Sequence, residues 1–534
     1  MSKFRSKSDY AQVYNGTRGG MNLGIDGAIF LKEETVQRTF QPPSIGTQGK
    51  SLSGTTASTN ISLGPDTSVK VAVDGGAIVT AVLVLVGLTS GVLIAAALES
   101  KINAALLADG QDGRVWVSFN AGGPDQYTVW SQSTGLLSSV VITPAASLSV
   151  TDELKLGVAG GGTESVGTDD TDFLLYTSGG PTLSQPIESN AHRSGRYHSG
   201  IIKSKKVVEW SASTYINMSG LAGASIDPAV KLLWKSLLGT EEVVASTAIR
   251  YRQGLPSFTM SLVRVSTIFA EYYTGCYVKD MTLTLPGDGP GTCEWSGMGS
   301  TRKIAGISQI VGGLTAVQDI VVQPGQTDRY DVGAPVMIVD PDGRTILHGA
   351  DGLLTIDSIT SGTNTINVSA NVTVSTLGFV VPWHPGAVQQ TGRDAIFTDL
   401  VGSIKLKSAG ADICATSIAL AFVNDHVDLA NCFGVDHNEG FAAANRMTIT
   451  MTVGFDLSNE NFAEVVQSQT FAGFDPVVTL GSVSGRYLQI TAPKWIPSVP
   501  AIEVPENGVT PITLEGQLYQ SAPGEQDPIL VSFK

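Results

Sequence analysis

The 534-residue sequence predicts a mainly β chain laid out on a duplicated strand plan with small inserted units. Three observations predict it. Charged residues make up only 15% of the chain and glycines number 60, a composition of many short strands joined by turns. Runs such as "VVEWSASTYINM" and "RMTITMTVGF" alternate apolar and polar residues with the period of a half-buried strand. Finally, the chain repeats itself: "LPGDGPGTCEWSG" (Leu285–Gly297) aligns without a gap on "VPENGVTPITLEG" (Val504–Gly516) at an offset of 219. Pro286 meets Pro505, Asp288 meets Asn507, Gly289 meets Gly508 and Gly297 meets Gly516. Each copy reads as strand, proline-initiated turn, strand and closing glycine, and each follows an alternating strand, a helix and further strands.

The elements follow in order. Residues 1–64 read as an extended N-terminal arm and first strands, because "QPPSIGTQGKSLSGTTASTN" is polar and aperiodic. Residues 65–185 read as an inserted α+β unit. Its "AIVTAVLVLVGLTSGVLIAAAL" (77–98) is long and apolar enough to suggest a membrane span. Ile78–Val86 is instead β-branched like a strand, Gly-Leu-Thr-Ser-Gly is a turn with Ser90 placed to cap, and the rest continues into "ESKINAALLA" as an amphipathic helix. Ile94, Leu98, Ile102, Ala105 and Leu106 share one face, with Glu99, Lys101 and Asn103 outside it. Strands "GRVWVSFN", "QYTVWSQS" and "SSVVITPA" follow, then a Gly-rich linker, "GVAGGGTESVG".

Residues 186–306 form the first repeated module. Its helix "IDPAVKLLWKSLLG" has Asp227 to cap, Pro228 in the first turn, Gly239 to stop it, and Val230, Leu233, Trp234 and Leu237 on one face. Residues 307–395 form an inserted β-rich unit with a hairpin turning at Asp340–Gly343 and two strands in "LLTIDSITSGTNTINVSANVTV". Residues 396–534 form the second module, with one helix at "SNENFAEVVQSQ" capped by Ser458.

The formal net charge of −15 excludes a global basic surface for gripping nucleic acid. Cys276, Cys293, Cys414 and Cys432 contain no CxxC pair and read as free thiols. No apolar core follows "MSKFRSKSDY", so no secretory signal is expected. Enzyme patterns are near misses. "SIGTQGKS" ends like a phosphate-binding loop but has Ser44 where glycine is required. "DPDG" lacks the remaining calcium ligands and reads as a turn. The histidines at 192, 198, 348, 384, 426 and 437 fit no zinc spacing, and no Gly-x-Ser-x-Gly elbow occurs. The one basic run, "AHRSGRYHSGIIKSKK", reads more simply as a solvated loop than as an anion or partner contact of His192, His198, Arg193, Arg196, Lys203, Lys205 and Lys206. Trp210, Trp234 and Trp295 read as core. No residue is singled out as catalytic, cofactor-binding or metal-ligating, and no cofactor is expected.

"GLAGASIDPAVKLLWKSLLGTEEV" followed by "FTMSLVRVSTIFAEYYTGCYVKDMTLTLPGDGPGTCEWSGMG" resembles the major tail tube proteins of long-tailed, siphovirus-like bacteriophages, over about 205–305 and more weakly over about 400–530. The shared features are an Asp-Pro-opened helix, a strand pair ending in a Tyr-x-Gly-Cys-like turn, and a closing hairpin. The resemblance implies a β-sandwich with a flanking helix, whose copies pair strands laterally into a barrel and stack as rings into the tube that carries viral DNA. It implies a structural virion protein, not an enzyme, assembled in the host cytoplasm. The partners it implies are copies of itself, a tape measure protein, tail terminator and tip proteins, and DNA in transit without specific binding or membrane insertion. This chain departs from the single-module pattern by carrying two modules, so three chains per ring are favoured over six. The inserted units are then expected on the outer wall, as decoration domains. The alternative is an extracellular β-rich adhesin or carbohydrate-binding protein, which needs a secretion route. An enzyme needs a convergent acidic pair or triad, and none is visible.

Overall fold

Alternating apolar and polar residues over most of the chain leave one face of each strand to bury, and the chain answers with stacked antiparallel sheets. The computed structural model describes residues 28–36, 39–43, 48–55, 57, 67–83, 88, 90–111, 115–120, 125–134, 138–146, 149–167, 172–184, 187–189, 193–194, 197–198, 201–203, 207–216, 226–244, 248–254, 259–265, 269–286, 289–312, 314–339, 341, 346–349, 354–374, 377–383, 387–388, 402–406, 411–412, 415–428, 440–454, 473–481, 487–499, 511–522 and 528–534. The fold is mainly β.

Eight strands form the backbone of the largest sheet. They are β1 (Ser178–Ser184), β2 (Val207–Tyr215), β3 (Ala270–Pro286), β4 (Thr292–Gly299), β5 (Ala415–Asp428), β6 (Gly440–Gly454), β7 (Lys494–Pro497) and β8 (Pro511–Tyr519). Their spatial order is β1-β2-β4-β3-β5-β6-β8-β7, antiparallel throughout. A second sheet runs through strands 239–244, 248–253, 530–533, 488–491, 476–480, 402–406 and 411–412. Inward-facing Leu283, Trp295, Leu420, Phe422, Ile449, Met451 and Leu514 of the first sheet share one core with Tyr251, Val478, Leu480, Ile490, Val531 and Phe533 of the second. That is a two-sheet sandwich.

Helix α2 (Pro228–Leu238) belongs to this core; helix α1 (Gly91–Ala108) lies in the α+β unit. The start of α2 is set as its sequence requires: Asp227 accepts a bond from the Ala229 N–H at 3.2 Å, and proline follows at the first turn. Gly239 ends it at φ 85°. Trp234 stacks on Tyr251 and meets Trp295, Phe422 and Phe533 edge-on, so one side chain touches both sheets and both repeated segments.

In the α+β unit, α1 buries Ile94, Leu98, Ile102 and Leu106 over strands 79–83 and 115–120. By length and composition α1 is also apolar enough to cross a membrane, with a mean hydropathy of 1.5. Ser90 stands at the cap position but its side chain makes no cap bond. Asn103, expected outside the buried row, is buried: its amide donates to Val115 O (3.0 Å) and accepts from Val115 N–H (2.8 Å). Glu99 reaches the same strand and accepts from Val117 N–H at 3.0 Å. The row is wider than apolar spacing suggests because these two side chains satisfy an edge of the strand.

Three further expectations are corrected. The Gly-rich stretch 157–167 is no linker: Thr163–Ser165 pairs with Gln48–Leu52, and Gly157 and Gly161 supply the positive φ of the turn before it. Gln48–Leu52, read as arm, is a sheet strand of the α+β unit, also paired with Gln126–Thr134. β1, which a boundary at 185 assigns to the inserted unit, is an edge of the main sheet. The arm before residue 28 and the helix expected at "SNENFAEVVQSQ" lie outside the described residues.

The 307–395 segment contributes a third core, built on strands 336–339, 379–382, 314–321, 356–360 and 365–374. Phe30, Val263, Ala270 and Tyr272 also enter it. β3 therefore runs from this core into the main sheet. At its crossing point Gly275 (φ 67°) donates its N–H to buried Glu34 at 2.9 Å, which also accepts from the Thr259 and Ser261 hydroxyls. The hairpins expected at "PVMIVDPDGRTILHG" and in "LLTIDSITSGTNTINVSANVTV" form, the second turning through Asn364 at φ 54°.

Candidate assembly surface

The main sheet is two four-stranded arrays placed edge to edge. Strands β1-β2-β4-β3 make one and β5-β6-β8-β7 the other, in the same relative order. The offset of 219 seen in sequence carries the pairing with it. Tyr277 faces Met298 and Val278 faces Gly297; shifted by 219, Ile496 faces Gln517 and Pro497 faces Gly516. The closing glycines are needed for one shared reason. A Cβ on Gly297 would collide with the Tyr277 carbonyl oxygen, and a Cβ on Gly516 with the oxygen of Ile496, its equivalent.

The arrays meet at a seam, where Asp280–Pro286 of β3 pairs with Ser417–Val423 of β5. A bulge at Val278–Asp280 precedes it and would leave backbone groups unpaired. Helix and seam close this gap together: Ser236 of α2 accepts from Val278 N–H at 3.1 Å, and the Asn424 amide of β5 donates to Val278 O at 3.5 Å and to Leu237 O of the helix at 3.0 Å. This junction ties the first repeat's helix to the second repeat's strand.

The outer ends of the main path are β1 and β7; among the described residues β1 pairs with β2 alone, whereas the other side of β7 is bridged at Trp495, which exchanges backbone hydrogen bonds of 2.7 and 2.8 Å with Phe474. A free edge presents unpaired backbone groups and is a template for another chain. β1 carries Pro181, a residue sheets confine to edges.

The face of the sheet turned away from the core is lined by Glu209, Ser211, Thr282, Thr284, Glu294, Ser296, Ala419, Ala421, Thr448, Thr450, Thr513, Glu515 and Gln517. Small hydroxyl, methyl and carboxylate groups share this face with Tyr215, Tyr277, Met298, Val423 and Tyr519. Among the described side chains of these eight strands the cations are Lys279 and Lys494; Lys279 sits 3.9 Å from Asp280. Among the described side chains of this face the carboxylates outnumber the cations, a balance that disfavours tight binding of a polyanion; the side chain of Arg446 lies outside the described residues.

The residues singled out in sequence fall elsewhere. Trp210, Trp234 and Trp295 are buried. Cys276 and Cys293 are free and buried, and burial raises both thiols, Cys293 to about 12; Cys414 and Cys432 lie outside the described residues. His348 Nε2 accepts from Thr373 N–H at 2.8 Å. The side chains of His192, Arg193, Arg196, His198, Lys203, Lys205, Lys206, His384, His426 and His437 lie outside the described residues, as does most of the Asp340–Gly343 turn. Lys50 and Ser51 of the loop-like "SIGTQGKS" stand in a strand. Among the described residues no cluster of three or more His, Cys, Asp or Glu is placed to hold a metal ion. Glu209, Asp280, Glu294 and Glu515 were not singled out in sequence, although their place at the polar beats of alternating strands marks them as outward-facing. No family model matches this sequence, and no curated protein matches it.

Proposed function

We propose that this chain is a structural subunit that assembles into stacked rings, forming the tail tube of a long-tailed bacteriophage and the conduit for its DNA. The observation that carries this reading is the edge-to-edge seam between two arrays of the same strand order, a junction of the kind that would join neighbouring units of a ring. Repeating that head-to-tail junction between chains closes a ring, because heterologous contacts form rings when their rotation closes. Three chains supply six arrays, so the ring is trimeric with pseudo-sixfold symmetry. The acidic, hydroxyl-rich face supports a lumen through which DNA slides. The role is structural rather than enzymatic. Its partners are further copies, a tape measure protein along the bore and terminator and tip proteins at the tube's ends. The two inserted units stand on the outer wall.

Negative-stain electron microscopy of the purified protein tests this. Hollow rings or striated tubes of uniform bore are expected, with threefold rotational averages. Small monodisperse particles at all concentrations and salt conditions overturn it.

A further inference from the structure

We propose that the α+β unit is a contact module between copies of this chain: the exposed face of α1 in one copy packs on the outer face of the small sheet formed by strands 79–83, 67–73 and 140–144 in the next. The inference rests on the ring reading above, which brings copies close together, and adds to it a second and separate surface.

Helix α1 buries one side, with Ile94, Leu98, Ile102 and Leu106 in the unit's own core. The other side presents Val92 (54% exposed), Leu93 (53%) and Leu107 (54%), with Ala96, Ser100 and Ala104 exposed between them. At 3.6 residues per turn these six fall within about one third of the helix circumference, and none carries a charge. A helix face turned to water is ordinarily polar, so this one lacks its cover.

The small sheet is built the same way. Alternation sends Val71, Val79, Ala81 and Ile142 into the core that α1 covers. It leaves Thr80, Val82 (55% exposed) and Val141 (40%) facing out, with half-buried Ala72 opposite Val141 and Ile78 (62%) just before the strand. Lys70 lies between Thr80 and Thr143 on this face and adds its aliphatic stem.

The occupant follows from having both faces on one unit. The core already seats this helix on this sheet, so the two kinds of surface fit one another. A second copy covers the bare helix face with its sheet, and a third covers the bare sheet face with its helix. The contact is heterologous, in the same head-to-tail sense as the ring seam. Area decides how it acts. The helix strip is roughly 23 Å long, and the two faces together remove on the order of 1,000 Å² from water, the lower bound of a specific interface. That is too little for a stable isolated dimer and enough between units that a ring already holds at high local concentration.

Cysteine cross-linking on the full-length protein tests it. Ser100→Cys lies mid-way along the helix face and Thr80→Cys on the sheet face, and both sites are exposed. The two single variants are mixed, assembled and treated with a short bismaleimide, and grids are taken from the same samples. In the control mixture Thr363→Cys, exposed in the 307–395 segment, replaces Ser100→Cys; wild-type protein gives the background of the native cysteines. Linked dimers are expected at least fivefold above the control. Adding Leu93→Glu to Ser100→Cys, which places a carboxylate in the face without entering the core, is expected to return linkage to the control level; unchanged linkage overturns the proposal. Ser100→Cys linking to itself as strongly as to Thr80→Cys shows an isologous helix pair and also overturns it. Rings or tubes on wild-type grids without linkage above the control overturn the contact while the ring reading stands. Linkage without rings keeps the contact and removes the ring reading, and absence of both removes both. If either cysteine variant loses the wild-type Tm, Ala104→Cys or Val82→Cys replaces it and is judged by the same criterion.

Discussion

The two arrays of the main sheet share strand order and hairpin register, yet fill their cores differently. In the first, Trp210 and Trp295 pack beneath the sheet and Cys276 occupies the matching position on β3. In the second, the equivalents are Ile449, Leu514 and Trp495. Bulk has moved from one pair of strands to another while Gly297 and Gly516 stayed. Core volume can be redistributed among apolar side chains, because interiors tolerate repacking when total volume is kept. A backbone position that excludes a Cβ has no such substitute.

Four measurements break or sharpen this comparison. The largest effect is expected for Trp234→Ala, because that ring contacts both arrays and both sheets. A loss of about 3–5 kcal/mol is expected in chemical denaturation, with both halves losing protease protection together. Loss confined to the first array would show that the halves are energetically separate. Next, Gly297→Ala and Gly516→Ala should each cost about 3 kcal/mol, since both place a methyl against a carbonyl oxygen. A tolerated Gly516→Ala would end the claim that the two hairpins are equivalent.

The third measurement concerns the α+β unit, whose separate core is a reference for the repeated halves. Burial raises the Glu99 carboxyl to about 7, against the opposing Val117 N–H bond. The folded unit therefore holds a proton that the unfolded chain releases near pH 4.5, the ordinary value. Stability is full below that value and falls as pH rises through about 7. Glu99→Gln should remove the slope and gain on the order of 2 kcal/mol at pH 8, with little change at pH 4. Thermal denaturation at both pH values checks this, and an unchanged slope would refute it. The smallest effect is expected for Asp227→Ala, which removes the cap of α2 and should cost about 1 kcal/mol by the same denaturation. A null result would mean that packing of Trp234 alone holds the helix.

Much of the fold was legible where the physics is local. The ends of α2 follow from Asp227, Pro228 and Gly239, and the hairpin around Gly289 follows from its turn residues. Alternation showed which residues of a strand share a face. It did not show which strand lies alongside, and the seam between Asp280–Pro286 and Ser417–Val423 joins segments far apart in sequence. The same limit hid the partners of Gln48–Leu52 and of Thr163–Ser165, whose polar composition reads as loop. Asn103 escaped because its burial depends on an unpaired strand edge beside it. The acidic face was visible residue by residue in "VVEWSASTY" and "PITLEGQLY", but not as one surface, because that requires the spatial order of the strands.

The strand Leu530–Phe533 lies between Ala248–Gln253 and Leu488–Thr491 in the second sheet. On the ribosome, the first repeat therefore cannot complete its sandwich until these late residues have been translated. A nascent chain displays an unfinished subunit through most of its synthesis, and chaperones have a long interval in which to hold it. A chain released before residue 530 leaves Ala248–Gln253 and Leu488–Thr491 without the strand that joins them, so completion of translation is itself a condition for the finished fold.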